Sequence, residues 1–147
     1  MAELQDFAAL VPLDHGLVVV STARKDGTIQ SSVVNCGVLD HPLDGTPVVA
    51  FVAAGAARRL DNLRRNPRAT LVLRAGWQWA GVEGPVQLVG PDDPLDGIDA
   101  EQLRVLLREI FQAAGGTHDD WDEYDRVMRD ERRVAVLVAP ERVYGAN

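Results

Sequence analysis

Arginine side chains are concentrated in one short stretch of an otherwise acidic chain. The chain has 147 residues, 15 of them basic, and a formal net charge of −7 at pH 7. Six arginines lie between positions 58 and 74, with a single acid, Asp61, among them. They are Arg58, Arg59, Arg64, Arg65, Arg68 and Arg74. This local excess of positive charge predicts an anionic partner at this part of the chain.

The first two of these arginines stand where a helix is predicted to begin. A predicted strand ends just before Gly55, and a helical pattern follows over 56–66. Free backbone N–H groups and the helix dipole make such a start positive, so Arg58 and Arg59 are slightly unfavourable there unless an anion binds. We therefore favour a phosphate site over a solvated helix face. Arg64 and Arg65 lie near the helix end, where cations complement the dipole and need no ligand.

Other chemical motifs are absent from the sequence. The histidines His15, His41 and His118 have neither metal-ligand spacing nor a nucleophile motif around them. Cys36 lies in a strand pattern, which is typical of a small core residue. No phosphate-binding loop or dinucleotide fingerprint occurs. These motifs identify no catalytic residue and predict no metal ligand, and if the protein is an enzyme, we expect a cofactor to carry the chemistry.

Composition narrows the class of protein. The net negative charge argues against nucleic acid as the main partner. No apolar run reaches the length of a membrane span, and the N-terminal residues lack the pattern of a signal peptide. We expect one domain over 1–147 in the cytoplasm, binding neither nucleic acid nor membrane. Lys25 is the single lysine among the 15 basic residues, which suggests a GC-rich genome.

Hydrophobic patterns predict an antiparallel barrel with helices packed outside it. Helices are predicted at 2–11, 56–66, 100–116 and 119–132. Strands are predicted at 15–23, 28–39, 48–53, 69–75 and 77–90, with one or two more within 133–145. The first two strands meet at the Asp26-Gly27 turn signal. Six or seven strands joined by hairpins or one short helix favour a mainly-β or α+β fold.

Two polar or aromatic groups on these strands could face a ligand. Trp77 and Trp79 alternate with Gln78, which places both indoles on one strand face as a possible wall for a flat ring. The alternative for the tryptophans is the core or a dimer interface. Gln30, Ser31 and Ser32 are unusual for a buried strand, since polar groups that face a core need hydrogen-bond partners. The alternative for these three is an edge strand that faces water.

Three segments in the right order resemble one known family. Asn62 to Thr70 is similar to the segment N-L-R-R-D-P-R-A-S, and Glu83 to Leu88 is similar to E-G-x-A-Q-L. The C-terminal part of the chain resembles a W-D-D-Y segment that leads to D-R-R-V and V-Y-G. Nearly the whole chain resembles the flavin/deazaflavin oxidoreductase superfamily with the pyridoxamine 5'-phosphate oxidase-like split barrel. The match is best to the actinobacterial branch that uses coenzyme F420.

This resemblance implies an FMN-binding type of split β-barrel that forms homodimers, with two cofactor sites between the subunits. It implies a cofactor phosphate beside Ala57 and Arg59, where Ala57 lacks the expected charge and Arg58 could compensate. Ring contacts come from the first strands and from the strand that carries the tryptophans. The predicted cofactor-binding residues are Ser21, Thr22, Lys25, Gln30, Ser31, Ser32, Ala53, Ala54, Ala57, Arg58, Arg59, Asn62, Trp77 and Trp79.

The function that the resemblance implies is an F420-dependent reductase. Reduced F420 would transfer a hydride to an electron-poor double bond or imine of a small organic substrate. Lys25 and Tyr144 are weak candidates for the proton donor. The alternatives are an FMN-dependent oxidoreductase on the same fold, or a protein without catalytic activity that binds a cofactor or haem.

Overall fold

Strands dominate the part of the chain that the computed structural model describes, residues 2–146. Seven strands and four α-helices form within these residues. The strands are β1 (Leu17–Ala23), β2 (Ile29–Asp40), β3 (Pro47–Ala53), β4 (Arg68–Ala75), β5 (Gln78–Val89), β6 (Val134–Val138) and β7 (Arg142–Ala146). The helices are α1 (Leu4–Leu10), α2 (Arg58–Arg65), α3 (Ala100–Ala113) and α4 (Trp121–Asp130), and a 3₁₀ turn at Val11–Asp14 follows α1.

Six of the strands close into a barrel, and every pairing is antiparallel. The order is β4-β1-β2-β3-β6-β5-β7, and β4 also pairs with β5 to close the ring. The first half of β5 pairs with both β4 and β7, whereas its second half pairs with β6. This architecture confirms the predicted antiparallel split barrel of six to seven strands with flanking helices.

The core has two compartments because one sheet face lines the barrel and the other lies under α3. Residues of β6 alternate between them: Val136 faces the barrel interior, and Leu137 packs against α3. The buried apolar run of β6 therefore has both faces covered. Helix α1 contributes Phe7 to the barrel interior, and α2 contributes Leu60 and Leu63. These contacts fix the start of α2 against the barrel.

One edge of β2 is open, and this opening creates the site described below. Residues 29–35 of β2 pair with β1, but β3 joins β2 only from Cys36, which is opposite Phe51. Gly37 marks the change, since a Cβ there would lie 2.5 Å from atoms of Ala113 at the end of α3. Helix α3 therefore approaches β2 closely just after the residues that form the free edge. Within the described strands, residues 29–35 have a pairing partner on one side alone.

Local turn chemistry explains one success and one error of the predicted elements. Asp26 accepts hydrogen bonds from the backbone and hydroxyl of Thr28, and Gly27 has a φ of +86°, so the predicted hairpin is confirmed. Trp77, however, lies in the two-residue turn between β4 and β5, because Ala75 pairs with Gln78. The prediction that Trp77 shares a strand face with Trp79 is wrong. The turn forms at Gly76, whose φ is +63°.

In residues 2–146 no helix has the length and apolar character that crossing a membrane requires.

Candidate functional site

A cleft of about 580 Å³ lies where the open edge of β2 faces the end of β3 and the start of α2. Helices α3 and α4 form its opposite wall. Its walls are mainly apolar, with charged groups at the side nearest α2. The apolar part consists of Val33, Val34, Val52, Ala54, Ile110, Phe111, Ala114 and Met128. This combination of a large apolar wall and few polar groups is typical of small-molecule sites.

The start of α2 enters this side of the cleft without a side-chain cap. Ala57 is the N-cap residue, and its methyl group accepts no hydrogen bond from the first turn. The buried Leu60 and Leu63 hold the helix against the barrel, and Asn66 ends it before Pro67. The start of α2 is therefore a fixed, positive end of a helix dipole. An anion can use its backbone N–H groups.

Arg59 is the central charged group of the cleft. Its side chain is half-buried, and its Nε donates a hydrogen bond to the Oγ of Ser32 at 3.2 Å. Burial lowers the pKa of the Arg59 guanidinium, and the charge of Arg133 lowers it further. No acid among the described residues offsets these two effects on Arg59. A bound anion would supply the missing negative charge.

Arg58 stands next to Arg59 but points elsewhere. The Arg58 side chain is exposed at the start of α2. Of the two arginines in this first turn, Arg59 alone lines the cleft. Ala54 also lines the cleft, whereas Ala53 is completely buried in the barrel core. The residues after β3 therefore contribute one guanidinium and one small wall residue to the cleft, and Arg58 lies at its outside.

The remaining arginines of the basic stretch have partners within the protein. Arg64 binds both carboxylate oxygens of Asp93, at 2.9 and 2.7 Å. Arg68 binds Glu141 at 2.8 Å, and Arg74 donates to the backbone oxygen of Gly76. These bonds agree with the interpretation of Arg64 and its neighbours as structural residues. Of the six arginines, Arg58 and Arg59 in the first turn of α2 therefore remain as candidates for binding a ligand.

Three predicted site residues form a buried polar network beside α2. The amide nitrogen of Asn62 donates to the hydroxyl of Thr22 at 3.1 Å and to the amide oxygen of Gln30 at 2.9 Å. The amide oxygen of Asn62 accepts a hydrogen bond from Arg65. Asn62 and Thr22 are buried, and Gln30 is half-buried. These side chains are hydrogen-bonded to one another, so their polarity does not require a ligand as a partner.

Other predicted site residues lie on the opposite face of the sheet. Ser21 and Ser31 are cross-strand neighbours with hydroxyl oxygens 2.8 Å apart, and alternation places them on the outer face, away from Thr22 and Gln30. Trp79 is on this outer face as well. Lys25 is exposed in the turn between β1 and β2, and Trp77 is 98% exposed. One protomer therefore does not bring all the predicted residues together.

Tyr144 belongs to the same outer face. Its hydroxyl lies 3.4 Å from a carboxylate oxygen of Glu83, and its ring packs edge-on to Trp79. Gly81 makes room for this ring, because a Cβ at Gly81 would lie 2.4 Å from it. Burial, followed by the charge of Glu83, raises the pKa of Tyr144. The phenol therefore keeps its proton at neutral pH, although it does not line the cleft beside Arg59.

Arg133 was missed by the sequence reasoning. It precedes β6, yet its half-buried side chain lines the same cleft as Arg59. The two residues are far apart in sequence, and no short motif connects them. Arg133 lies in the segment 131–134 that resembles the D-R-R-V of the family, directly before a buried strand. Neither feature indicates a contact with α2.

Comparison with known families agrees with the fold. Residues 2–147 match the protein family described as pyridoxamine 5'-phosphate oxidase. The match spans almost the whole chain, including the helices that wall the cleft.

Solved structures with the same fold include proteins of several descriptions. The conserved hypothetical protein Rv2991 from Mycobacterium tuberculosis is 19% identical with a TM-score of 0.70, over 100% of this chain and 85% of that chain. An F420 reductase is 18% identical with a TM-score of 0.59, over 87% of this chain and 88% of that chain. A pyridoxamine 5'-phosphate oxidase-related, FMN-binding protein from Nostoc punctiforme is 12% identical with a TM-score of 0.60, over 97% of this chain and 84% of that chain.

Proteins described as haem-binding or haem-storing also match. At these identities the likeness shows the fold alone.

Proposed function

Because the chain belongs to the pyridoxamine 5'-phosphate oxidase family, we propose that the cleft beside Arg59 binds a flavin-type cofactor. We propose further that this cofactor is the deazaflavin coenzyme F420 and that the protein is an F420-dependent reductase. One observation carries the proposal: Arg59 is a half-buried cation at the uncapped start of α2, and within residues 2–146 no acid lies beside it. The cofactor phosphate is the anion that this arrangement fits.

The cleft suits both parts of such a cofactor. Its volume of about 580 Å³ falls within the usual range for ligand pockets. The phosphate would bind Arg59 and the backbone N–H groups of α2. The ring would lie along residues 33–35 of β2, where unpaired backbone groups can bind the ring's carbonyl and N–H edges. Val52 and Phe111 would contact its apolar surface.

The choice of F420 over FMN rests on charge. Coenzyme F420 carries a phosphate and a polyglutamate tail, so it has more negative charge than FMN. In this proposal, the exposed Arg58 beside Arg59 would bind part of this additional charge outside the cleft. A structural neighbour described as an F420 reductase adds support from the same fold.

In the proposed reaction the cofactor, when bound in its reduced form, would supply a hydride to an electron-poor double bond or imine. The protein's residues hold the phosphate, orient the ring and keep water away from it. Met128 and Phe111, from α4 and α3, would provide the apolar wall against which a small organic substrate packs. Tyr144 keeps its proton, but from the outer face it reaches a cofactor only across a subunit boundary.

A homodimer is part of this proposal. Val33, Val19, Val72, Gly81 and Tyr144 form one row across five neighbouring strands on the outer face. Leu17, Val19 and Val33 are 39%, 42% and 61% exposed, respectively. An exposed apolar face of this kind is typical of a protein–protein interface. Packing a second copy here would place its outer-face residues beside the open edge of β2.

FMN and haem remain the second candidates, each with its own supporting observation. FMN shares the phosphate, and an FMN-binding protein has the same fold. For haem, His15 lines the cleft and could serve as an axial ligand there. Neither alternative uses Arg58.

Binding measurements separate these candidates. We would titrate the purified protein with F420, FMN and haemin, following F420 fluorescence, FMN fluorescence and haem absorbance. The proposal expects F420 to bind most tightly, and Arg59→Met to weaken it by about tenfold or more, as the loss of a hydrogen-bonded charge does. Arg126→Met, which removes an exposed arginine of α4, is the matched control.

Each other outcome has a definite meaning. Preference for FMN would overturn the F420 assignment and retain flavin chemistry. If haem binds and His15→Ala abolishes this binding, the protein is a haem-binding protein and the reductase proposal is overturned. If none of the three binds, the cofactor proposal fails. If F420 binds, reduced F420 would be mixed with electron-poor alkenes and imines to identify the substrate class.

A further inference from the structure

Arg133 and Arg59 line the same cleft although they are far apart in sequence. Arg59 belongs to the first turn of α2, and Arg133 directly precedes β6. Both side chains are half-buried. Two guanidinium groups in one partly buried cleft repel each other, so the arrangement costs free energy unless something negative lies nearby.

The fold fixes this arrangement through Gly55. The backbone N–H of Gly55 donates to the carbonyl oxygen of Glu131 at 3.1 Å. A Cβ at Gly55 would lie 2.6 Å from the carbonyl oxygen of Arg132, so only glycine permits this approach. Arg132 itself has a φ of +51°, which turns the chain toward β6. The turn before β6 is thereby held against the junction of β3 and α2.

Glu131 balances the charge of Arg133 from outside the cleft. Nε and Nη2 of Arg133 both donate to the same carboxylate oxygen of Glu131, at 2.9 and 2.6 Å. Glu131 is exposed, and an exposed ion pair of neighbouring residues has little net strength. Its bond to Arg133 is therefore easy to exchange for a stronger one. A phosphate group inside the cleft, with its negative charge and several acceptor oxygens, would compete well for this guanidinium.

We infer that Arg133 is the second phosphate ligand of the cleft, and that Glu131 holds its guanidinium until the phosphate ester displaces the carboxylate. This inference rests on the proposed function, since it assumes that a phosphate-bearing cofactor binds beside Arg59. It adds a residue from the other end of the chain to that site. It also explains why Arg59 has no acid of its own: the anion that completes the pair comes with the ligand.

The test compares cofactors with and without the phosphate. FMN and riboflavin share a ring, as do F420 and the deazariboflavin that lacks its phosphate and tail. For the flavin pair, the ratio of the two dissociation constants measures the phosphate contribution. For the deazaflavin pair, the ratio measures the contribution of the phosphate and the tail together. We expect Arg133→Met to reduce this ratio by about tenfold, as the loss of a charged hydrogen bond does. Binding of the phosphate-free ring should stay unchanged.

Two further variants make the inference specific. Glu131→Gln removes the competing carboxylate, so it should tighten binding of the phosphate-bearing cofactor a few-fold and leave the phosphate-free ring unaffected. Arg129→Met removes an exposed arginine of α4, one helical turn earlier, and should leave the ratio unchanged.

The possible failures are distinguishable. If Arg133→Met leaves the ratio within about twofold of wild type while Arg59→Met lowers it, Arg133 is not a phosphate ligand and the proposed function stands. If Glu131→Gln weakens phosphate binding, Glu131 does not compete with the phosphate for Arg133, and the proposed function again stands. If the wild-type protein binds neither pair, the proposed function and this inference fall together. Thermal unfolding of each variant separates loss of binding from loss of the fold.

Discussion

The Nε of Arg59 lies 3.2 Å from the Oγ of Ser32, and this bond connects the start of α2 to the open edge of β2. The hydroxyl orients the Arg59 guanidinium in the cleft, and it is the one side-chain partner of Arg59 among residues 2–146. Because both residues lie at the place where the phosphate is proposed to bind, the bond sets the direction in which Arg59 meets an anion. This relationship has a direct experimental consequence.

Ser32→Ala should weaken binding of the phosphate-bearing cofactor by about two- to tenfold, the range expected for one lost hydrogen bond. The measurement is the dissociation constant of the cofactor, with the melting temperature as a check of folding. Ser31→Ala is the matched control, since Ser31 bonds to Ser21 on the outer face. Equal effects of the two variants would contradict an orienting role for Ser32.

The network around Asn62 should act on stability before it acts on binding. Asn62→Leu leaves the Thr22 hydroxyl and the Gln30 amide oxygen without their donor in a buried place. We expect the free energy of unfolding to fall by about 1–3 kcal/mol in the absence of any ligand. Urea denaturation measures this loss. Asn66→Leu, at the exposed end of α2, should change stability little.

A different result would reassign these residues. If Asn62→Leu leaves the free energy of unfolding unchanged but weakens cofactor binding, the network serves the ligand and not the fold. The Asn62 side chain is hydrogen-bonded to three other side chains, so the loss of stability is the expected outcome.

The fold could be predicted because its elements have strong local signals. The Asp26-Gly27 pair specifies a tight turn, and the continuous apolar run of β6 indicates a strand covered on both faces. Trp77 was misplaced for a local reason. An alternating pattern cannot show where a hairpin turns, and Gly76 turns the chain one residue before Trp77. The position of this turn depends on the pairing of β4 with β5.

The site was predicted only in its local part. Arg59 could be found because a helix start and its first-turn cations are neighbours in sequence. Arg133 could not, because its place in the cleft depends on the contact of Gly55 with Glu131, which is a property of the folded chain. Similarly, polar residues such as Gln30 indicate that a partner exists, but not whether Asn62 or a ligand provides it.

Alkaline pH should destabilise the protein through two buried groups. Burial raises the pKa of Cys36 to about 12 and the pKa of Tyr124 to about 12 in the folded state. In the unfolded chain these groups ionise near their ordinary pKa values of 9.0 and 10.0. As the pH rises, their ionisation therefore stabilises the unfolded state before the folded state. Their contribution is therefore fully present below about pH 9 and is lost progressively toward pH 12.

The measurement is the free energy of unfolding in urea between about pH 8 and about pH 11. Cys36→Ala should flatten the decline seen with the wild-type protein. In the folded state at about pH 8, the buried thiol should also resist alkylation, and urea should expose it. Rapid alkylation of the folded protein would contradict the burial of Cys36.

The outer face gives a prediction about assembly. Val19 is 42% exposed and lies in the apolar row on this face, beside Val33, which also lines the cleft. If a second copy covers this face, Val19→Arg places an unpaired charge in the interface, and the dimer should dissociate at micromolar concentration. Sedimentation equilibrium measures the change in mass, and cofactor titration shows whether the site depends on the dimer.

Val105→Arg is the control for this substitution, because Val105 is 39% exposed on α3 and lies outside the row. It introduces the same charge in place of the same side chain at nearly the same exposure. A wild-type protein that sediments as a monomer, or a Val19→Arg variant that stays dimeric, would contradict the proposed interface. If Val19→Arg is monomeric and also loses the cofactor while Val105→Arg keeps both, cofactor binding depends on this outer face of the barrel.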